Sequence, residues 1–463
     1  MKNSFPCREL PFIFAFFCAF GRRRRLPGAS GWCKITKKTA VPAACALPAV
    51  SFEVWLEVTA MPYYRRNLLT LCVAVFLASS AWQQVVPFLP LFLQDLGVKE
   101  GLNQWSGVVY ALHYISAIFF LPFWGKLADR YGRKPLVLRA GICLSLLYFA
   151  MSFARSPYHV AVVRFLNGAL TGFIPGATAL VATNTPRELT GRYVAAIQTA
   201  SAGGTIIGPA IGGALADLFG FRGALQASGL MVFTAVLLVL VFVVEHNKTV
   251  IASPTTIRQD VQTAFSHPVL FGTMLAMGFT AFATLSLQPV LTLYLTELSG
   301  EAANWLRGAI FSLPGVAFML TASLWTRWGE RAGFEPLMPL GLLLSGVLAA
   351  ILAWPRSIYG FAFLYFVMGI CVAALRPAAA ALVALKVEEG FQGRAYALQQ
   401  SAFMFGGFAG PLLTGAVGEL LGTRWTFVWL GLFLVASALF MHRLVQSWKR
   451  QAKVQLSGAV TKI

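Results

Sequence analysis

The sequence predicts an all-α membrane protein with twelve transmembrane helices arranged as two pseudo-symmetric six-helix bundles. Three observations carry that expectation. Of 463 residues, 57% are hydrophobic and only 12% are charged, about half the charge of an ordinary soluble domain. The apolar residues come in unbroken runs of roughly 20, the length a helix needs to cross hydrocarbon, without the alternating polarity of a membrane β-barrel. The second half of the chain also echoes the first. A soluble globule could not cover this much apolar surface with so few charges, and a disordered chain would be far more polar.

Taken in order, the first element is an extension, residues 1–60. Its apolar run, Leu10 to Phe20, is too short to span. Four arginines, Arg22 to Arg25, follow that run instead of preceding it, the reverse of a secretory signal. Met61-Pro-Tyr-Tyr-Arg65-Arg66-Asn67 has the look of a cytoplasmic start before a first span. Residues 1–60 are therefore expected to be disordered or a start-site artefact; the alternative is a basic extension lying on anionic lipid. The spans follow at 67–93, 104–125, 136–154, 158–182, 193–216 and 224–245, giving a first bundle over 61–245. A polar linker covers 246–267. A second bundle over 268–446 holds spans at 268–296, 303–325, 337–354, 358–385, 395–419 and 424–445. A basic tail, 447–463, closes the chain.

Lys and Arg number 37 against 17 Asp and Glu, a net charge of +20. In a soluble protein that excess would suggest nucleic acid; between apolar spans it reports sidedness, and no nucleic-acid partner is expected. Each odd-numbered connection carries one basic residue: Lys99, Arg155, Arg222, Arg307, Arg356 and Arg424. Each even-numbered one carries at least two, such as Arg187 with Arg192, or Arg327 with Arg331. The positive-inside rule then places both termini and the linker in the cytoplasm. Among the seven cysteines, four (Cys7, Cys18, Cys33, Cys45) lie in the extension, and Cys72, Cys143 and Cys371 lie in apolar runs. None has disulfide-framework or zinc spacing. The five histidines form no metal-type cluster, and no acid pair or nucleophile–base set is visible. No metal, no cofactor and no enzymatic reaction are expected.

The internal repeat is explicit. Pro175-Gly-Ala-Thr-Ala-Leu-Val-Ala182 aligns with Pro377-Ala-Ala-Ala-Ala-Leu-Val-Ala384. At the same offset Gly191-Arg192 meets Gly393-Arg394, Gln198 meets Gln400, and Gly208-Pro209 meets Gly410-Pro411. About 14 of about 35 positions match over that stretch, as expected for parallel six-helix repeats. Two such bundles would enclose a central cavity that opens to one side or the other by rocking.

Three motifs stand out. The connection after span two reads Gly125-Lys-Leu-Ala-Asp129-Arg130-Tyr-Gly132-Arg133-Lys134. Its glycines suit a tight turn and close helix approach, and Asp129 could bind a helix N-terminus or an arginine and lock one face shut. Span five carries Gly204-x-x-x-Gly208-Pro209-x-x-Gly212-Gly213. Small residues four apart let another helix lie close, and Pro209 removes a backbone hydrogen bond and allows a bend. Its echo, Gly406-x-x-x-Gly410-Pro411, suggests pliable helices between the halves. No Walker sequence occurs, which argues against an ATP-driven pump. Span one ends in Trp82-Gln83-Gln84 and Pro87-Phe-Leu-Pro90. Two amides inside an apolar helix need polar partners or water, so each glutamine either lines a cavity or ties helices together.

These residues, with Arg164-x-x-x-Gly168 in span four, resemble the signature motifs of the major facilitator superfamily. The span-five motif and Pro87-Phe-Leu-Pro90 resemble those of its twelve-span drug:proton antiporter branch. The resemblance covers about 400 residues from Met61 on. It implies proton-driven export of a small amphipathic compound across a bacterial inner membrane, by a monomer whose partners are the substrate, protons and the bilayer. It also implies a part in proton transfer for Arg164.

The chain departs from that branch in one respect. Its acidic residues lie in loops, at span ends or in the extension, whereas many exporters of lipophilic cations carry a carboxylate in or near span one. The ionisable groups at depth are His113, Arg164 and Arg376. Each is costly there, so each is expected to face a cavity or a partner. A neutral to positive cavity suits a neutral, zwitterionic or anionic substrate. His113 titrates near neutrality and is a candidate proton carrier; a hydrogen-bonded histidine between helices is the alternative. Arg376, without a basic counterpart at Pro175, is a candidate substrate contact. A dedicated exporter of one metabolite, such as a carboxylate siderophore, fits the same residues, and a non-transporting receptor on this scaffold ranks lower.

Overall fold

A computed structural model describes residues 62–246, 257–300 and 303–460. The extension over 1–60 lies outside the described residues, as do residues 247–256 of the linker and the side chain of Asp129. Sixteen helices account for nearly all of the rest: α1 Tyr63–Gln84, α2 Leu89–Asp95, α3 Leu102–Tyr131, α4 Arg133–Ser152, α5 Pro157–Ala169, α6 Phe173–Thr183, α7 Arg187–Phe242, α8 Ile257–Ser266, α9 Pro268–Leu285, α10 Gln288–Ser299, α11 Asn304–Ala332, α12 Leu337–Ile351, α13 Ile358–Val372, α14 Leu375–Lys386, α15 Glu389–Leu421 and α16 Thr423–Val460. Ten helical stretches among the described residues are long and apolar enough to cross a membrane; α12, with 15 residues, is a shorter apolar helix. Helix is the form such runs must take, because it satisfies every backbone N–H and C=O within the segment.

Several boundaries differ from expectation. The 56-residue α7 is continuous through Pro209 but turns at Gly220 (φ 69, ψ 174), so the break falls at a glycine and not at the proline. Only glycine adopts that backbone without strain. The supposed loop from Gly125 is helical as far as Tyr131, and Gly132 alone (φ 98) makes the turn into α4. Gly125 is exposed with open space around it. The second half of the linker forms α8, and α16 carries helix through most of the basic tail.

Four spans are interrupted. The first stops at Gln84, passes through a 3-10 turn at Val86–Phe88 and resumes as α2. Pro87 and Pro90 account for this, since neither can donate to the preceding turn. A span made of α5 and α6 breaks over 170–172, one made of α9 and α10 breaks at 286–287, and one made of α13 and α14 breaks at 373–374. The breaks at 85 and 286, and at 170 and 373, recur at nearly the repeat offset. Breaks of this kind leave carbonyls without an intrahelical partner, and side chains from other helices take several of them up: Tyr110 bonds Val86 O, and Thr414 bonds Ser286 O.

Buried apolar side chains sort by chain half. One cluster draws on residues 276–448, and two others on residues 71–243. Large apolar side chains such as Phe119, Leu146, Leu218, Tyr359 and Leu420 remain mostly exposed, as a lipid-facing surface requires and a water-facing one forbids. The spans α1–α2 and α9–α10 are the two most enclosed.

Candidate functional site

The two glutamines at the end of α1 separate. Gln84 is fully buried. Its Oε1 accepts from Ser228 Oγ at 2.7 Å and its Nε2 points to Met231 Sδ at 2.9 Å, both on α7. Gln84 is therefore an interhelical tie: its amide is engaged at both ends and its side chain has no accessible surface. Gln83 and Trp82 are half-buried and keep open surface.

Beside Trp82 lies a buried polar group of three helices. The His113 ring from α3 packs on the Trp82 indole with centroids 4.2 Å apart, and Tyr114 meets His113 edge-on at 5.1 Å. From α5, the Arg164 guanidinium sits 5.6 Å from the Tyr110 ring centre and 5.9 Å from that of Trp82. Only 2% of Arg164 and 6% of His113 is exposed. Close helix crossing makes this possible. Gly168, one turn beyond Arg164, lies so near α3 that a Cβ there would strike His113 O and Ser116 Oγ. Tyr110 donates to Val86 O at 2.5 Å, which fixes α3 against the break after α1.

The electrostatics are one-sided. Among the described residues Arg164 has no ion-pair partner; its Nε and Nη2 lack hydrogen-bond acceptors, and His113 Nδ1, Asn167 Oδ1 and Tyr148 OH are unpartnered too. Aromatic faces supply part of what a carboxylate would. Still, a cation at depth costs about 2.5–3.5 kcal/mol or more, and unsatisfied buried donors add to that. Such a group is suited to receive an acceptor from outside the protein.

Arg376 lies elsewhere, two residues past the break before α14, with its guanidinium 4.7 Å from the Phe403 ring centre. Its side chain is exposed. No described contact joins it to the Arg164 group, which is in the other half of the chain.

The glycine motifs divide their labour. Gly204, Gly208 and Gly212 pack on α1, where added Cβ atoms would strike Phe76 O, Ser80 O and Gln84 O. The glycines four apart thus serve packing within the first half, while the Gly-Pro and Gly-Gly additions of the motif reach the other half. The boundary uses the next residues round the helix: Pro209 O lies against Gly308 of α11, and Gly213 against Asn304. The repeat reproduces this. Gly406 and Gly410 pack on α9, while Pro411 O lies against Gly107 of α3. At the turn before α4, Glu245 accepts from Arg133 N at 2.7 Å and Lys134 N at 3.0 Å. Arg133 also donates to Ala179 O at 2.6 Å, whereas Arg130 is exposed over Tyr131.

Sequence reasoning missed a pair of tryptophans. Trp124 Nε1 donates to Ala169 O and Trp325 Nε1 to Ile370 O, each at 2.7 Å. Each indole secures a carbonyl beside a helix break. Arg139 then lies 3.4 Å over the Trp124 ring. The signal was available, since Trp124 and Trp325 are identical residues at the repeat offset in apolar text.

A buried cation in an aromatic setting, beside broken helices in an apolar, lipid-facing shell, defines a membrane transporter. The chain belongs to the Major Facilitator Superfamily, whose sequence model matches residues 71–306 and 270–456; it is a transporter and not an enzyme. It is 33% identical over 399 residues to Multidrug resistance protein MdtG of Rahnella sp. (strain Y9602), covering 84% of this chain and 96% of that protein. It is 32% identical over 402 residues to the protein of the same name from Salmonella arizonae, covering 85% and 97%. Among solved structures it resembles a bacterial homologue of the human lysosomal transporter Spinster, with a TM-score of 0.72 and 15% identity over 84% of this chain and 98% of that one.

Proposed function

We propose that this protein is a twelve-span, proton-coupled multidrug exporter of the bacterial inner membrane that works by alternating access as a monomer. Dividing α7 at Gly220 and admitting α12 raises the ten long apolar stretches to twelve. The sorting of buried clusters by chain half supports two bundles over 61–245 and 268–446. The charge pattern favours cytoplasmic termini. On that orientation the contacts joining the halves, such as Gly107 on Pro411, Gly308 on Pro209 and Thr292 Oγ1 to Pro87 O at 2.6 Å, lie toward the outer face. These contacts support reading the structure as a state closed on the outside.

The observation that carries the substrate reading is Arg164, buried beside Trp82, Tyr110 and His113 with two nitrogens unpartnered. An amphipathic compound that is neutral or anionic offers an acceptor to the guanidinium and an apolar body to the aromatic walls. His113 carries the proton in this scheme, and Arg376 contacts substrate from the second bundle. Multidrug transport is supported by the likeness to the MdtG proteins. The test compares uptake of an organic acid and of a cationic dye into everted vesicles. Proton-dependent uptake of the acid is expected; strong transport of the dye alone would refute the reading. Transport of one metabolite with no drug transported would favour the dedicated exporter.

A further inference from the structure

The helices α3 and α11 begin without a capping side chain of their own, at Gly101 and Ala303. The first N–H groups of a helix have no intrahelical partner and carry the positive end of its dipole. In both cases a carboxylate from the opposite half of the chain meets that helix start. Asp217, near the end of the span that closes at Gly220, accepts from Asn304 N and Asn304 Nδ2 through Oδ1 and from Trp305 N through Oδ2, all at 2.9 Å. Glu419, near the end of α15, accepts from Gly101 N at 3.2 Å, and Asn103 Nδ2 donates to the neighbouring Gly418 O at 3.4 Å. Asp217 and Glu419 are 202 residues apart, and Asn103 and Asn304 are 201 apart. The pseudo-symmetry that pairs the halves therefore pairs the two contacts. Arg307 steadies one of them by donating to Asn304 Oδ1 at 2.9 Å.

We propose that Asp217 and Glu419 are a symmetric pair of latches: each caps a helix of the other bundle, and together they hold the outer gate shut and set the balance between the two access states. Glu245 shows the same chemistry used differently, because it caps α4 within its own half and cannot sense the movement between halves. The cross-half caps exist only while the outer ends touch. Opening that end strips four N–H groups of their acceptor and exposes them to water, so the carboxylates stabilise the closed face selectively. Both carboxylates are exposed, which suits groups that must be released and regained in every cycle. The inference rests on the alternating-access reading above.

The test uses the full chain with its seven cysteines replaced and one reporter, Ser106→Cys. Ser106 is fully buried beside the Gly107–Pro411 contact. Labelling by a membrane-impermeant maleimide from the outer side reads opening of the gate. Asp217→Asn and Glu419→Gln are each expected to raise the labelling rate several-fold, with more in the double variant. Asp217→Glu is expected to stay near the parent, and Glu245→Gln to leave the rate unchanged. A monodisperse elution profile confirms folding, and any single variant that folds suffices. Unchanged labelling in folded Asp217→Asn and Glu419→Gln would overturn the proposal, as would an equal rise in Glu245→Gln. Gly308→Val separates the levels. Its Cβ must push against Pro209, so labelling there without labelling in the latch variants refutes the latch alone. No labelling in any of these variants refutes the moving outer gate and the latch with it.

Discussion

Arg164 and its neighbours show how a charge can be held at depth by rings and not by a counter-ion. The flat guanidinium suits that arrangement in a way an ammonium does not. Arg164→Lys keeps the charge and loses the planar contacts to Tyr110 and Trp82, so transport is expected to fall roughly tenfold, the equivalent of about 1.4 kcal/mol. Initial efflux rates over a substrate series check this, and an unchanged rate would remove the guanidinium from the site. His113→Gln preserves a hydrogen-bonding side chain but cannot titrate. It is expected to flatten the pH dependence of transport; a retained pH dependence takes His113 out of the coupling. Of the two adjacent glutamines, Gln84 is occupied by Ser228 and Met231. Which of two neighbouring amides would be free depended on what stood opposite each.

At the scale of elements, the repeat is a repeat of contacts as much as of residues. Trp124 and Trp325 each secure a carbonyl beside a broken helix. Trp124→Phe and Trp325→Phe are each expected to cost about 0.5–1.5 kcal/mol, one hydrogen bond's worth. They should add in the double variant because the sites are remote. Thermal midpoints of the solubilised protein measure this; no loss in either variant would contradict the role of the bond, and any larger loss at Trp124 reflects Arg139 over its ring. Gly168→Val must push His113 O and Ser116 Oγ away. Overpacking of this kind costs roughly 1–3 kcal/mol, and transport is expected to fall with stability because Arg164 and His113 depend on that crossing. Pro209 illustrates a limit of local reasoning. A proline in a helix can bend it, yet α7 runs through it and turns at Gly220 instead.

For the molecule as a whole, the halves meet where Gly107 and Gly308 admit the carbonyls of Pro411 and Pro209. Gly107→Val and Gly308→Val are expected to wedge this contact open and favour the outward-facing state. Spin labels at Lys99 and Arg356, placed by the charge pattern on outer connections of opposite halves, should then show longer distances than in the parent. Identical distance distributions would show that the contact is not the closed gate.

The amino-acid sequence by itself determined the class of protein. Apolar run length, scarce charge, an internal repeat and the loop motif identify a superfamily member, because the bilayer acts on composition along the chain before any tertiary contact forms. It also singled out His113, Arg164 and Arg376, since ionisable groups in apolar text are conspicuous. Only the tertiary structure decided which of these meet. Arg164 and Trp82 are 82 residues apart in the chain, and they share a site because Gly168 lets α5 cross α3 closely beside the end of α1. It likewise decided that the glycine face of α7 packs within its own half, and that Asp217 and Glu419 reach helix starts in the other half. Those outcomes depend on the relative position of helices distant in sequence, which no local periodicity encodes.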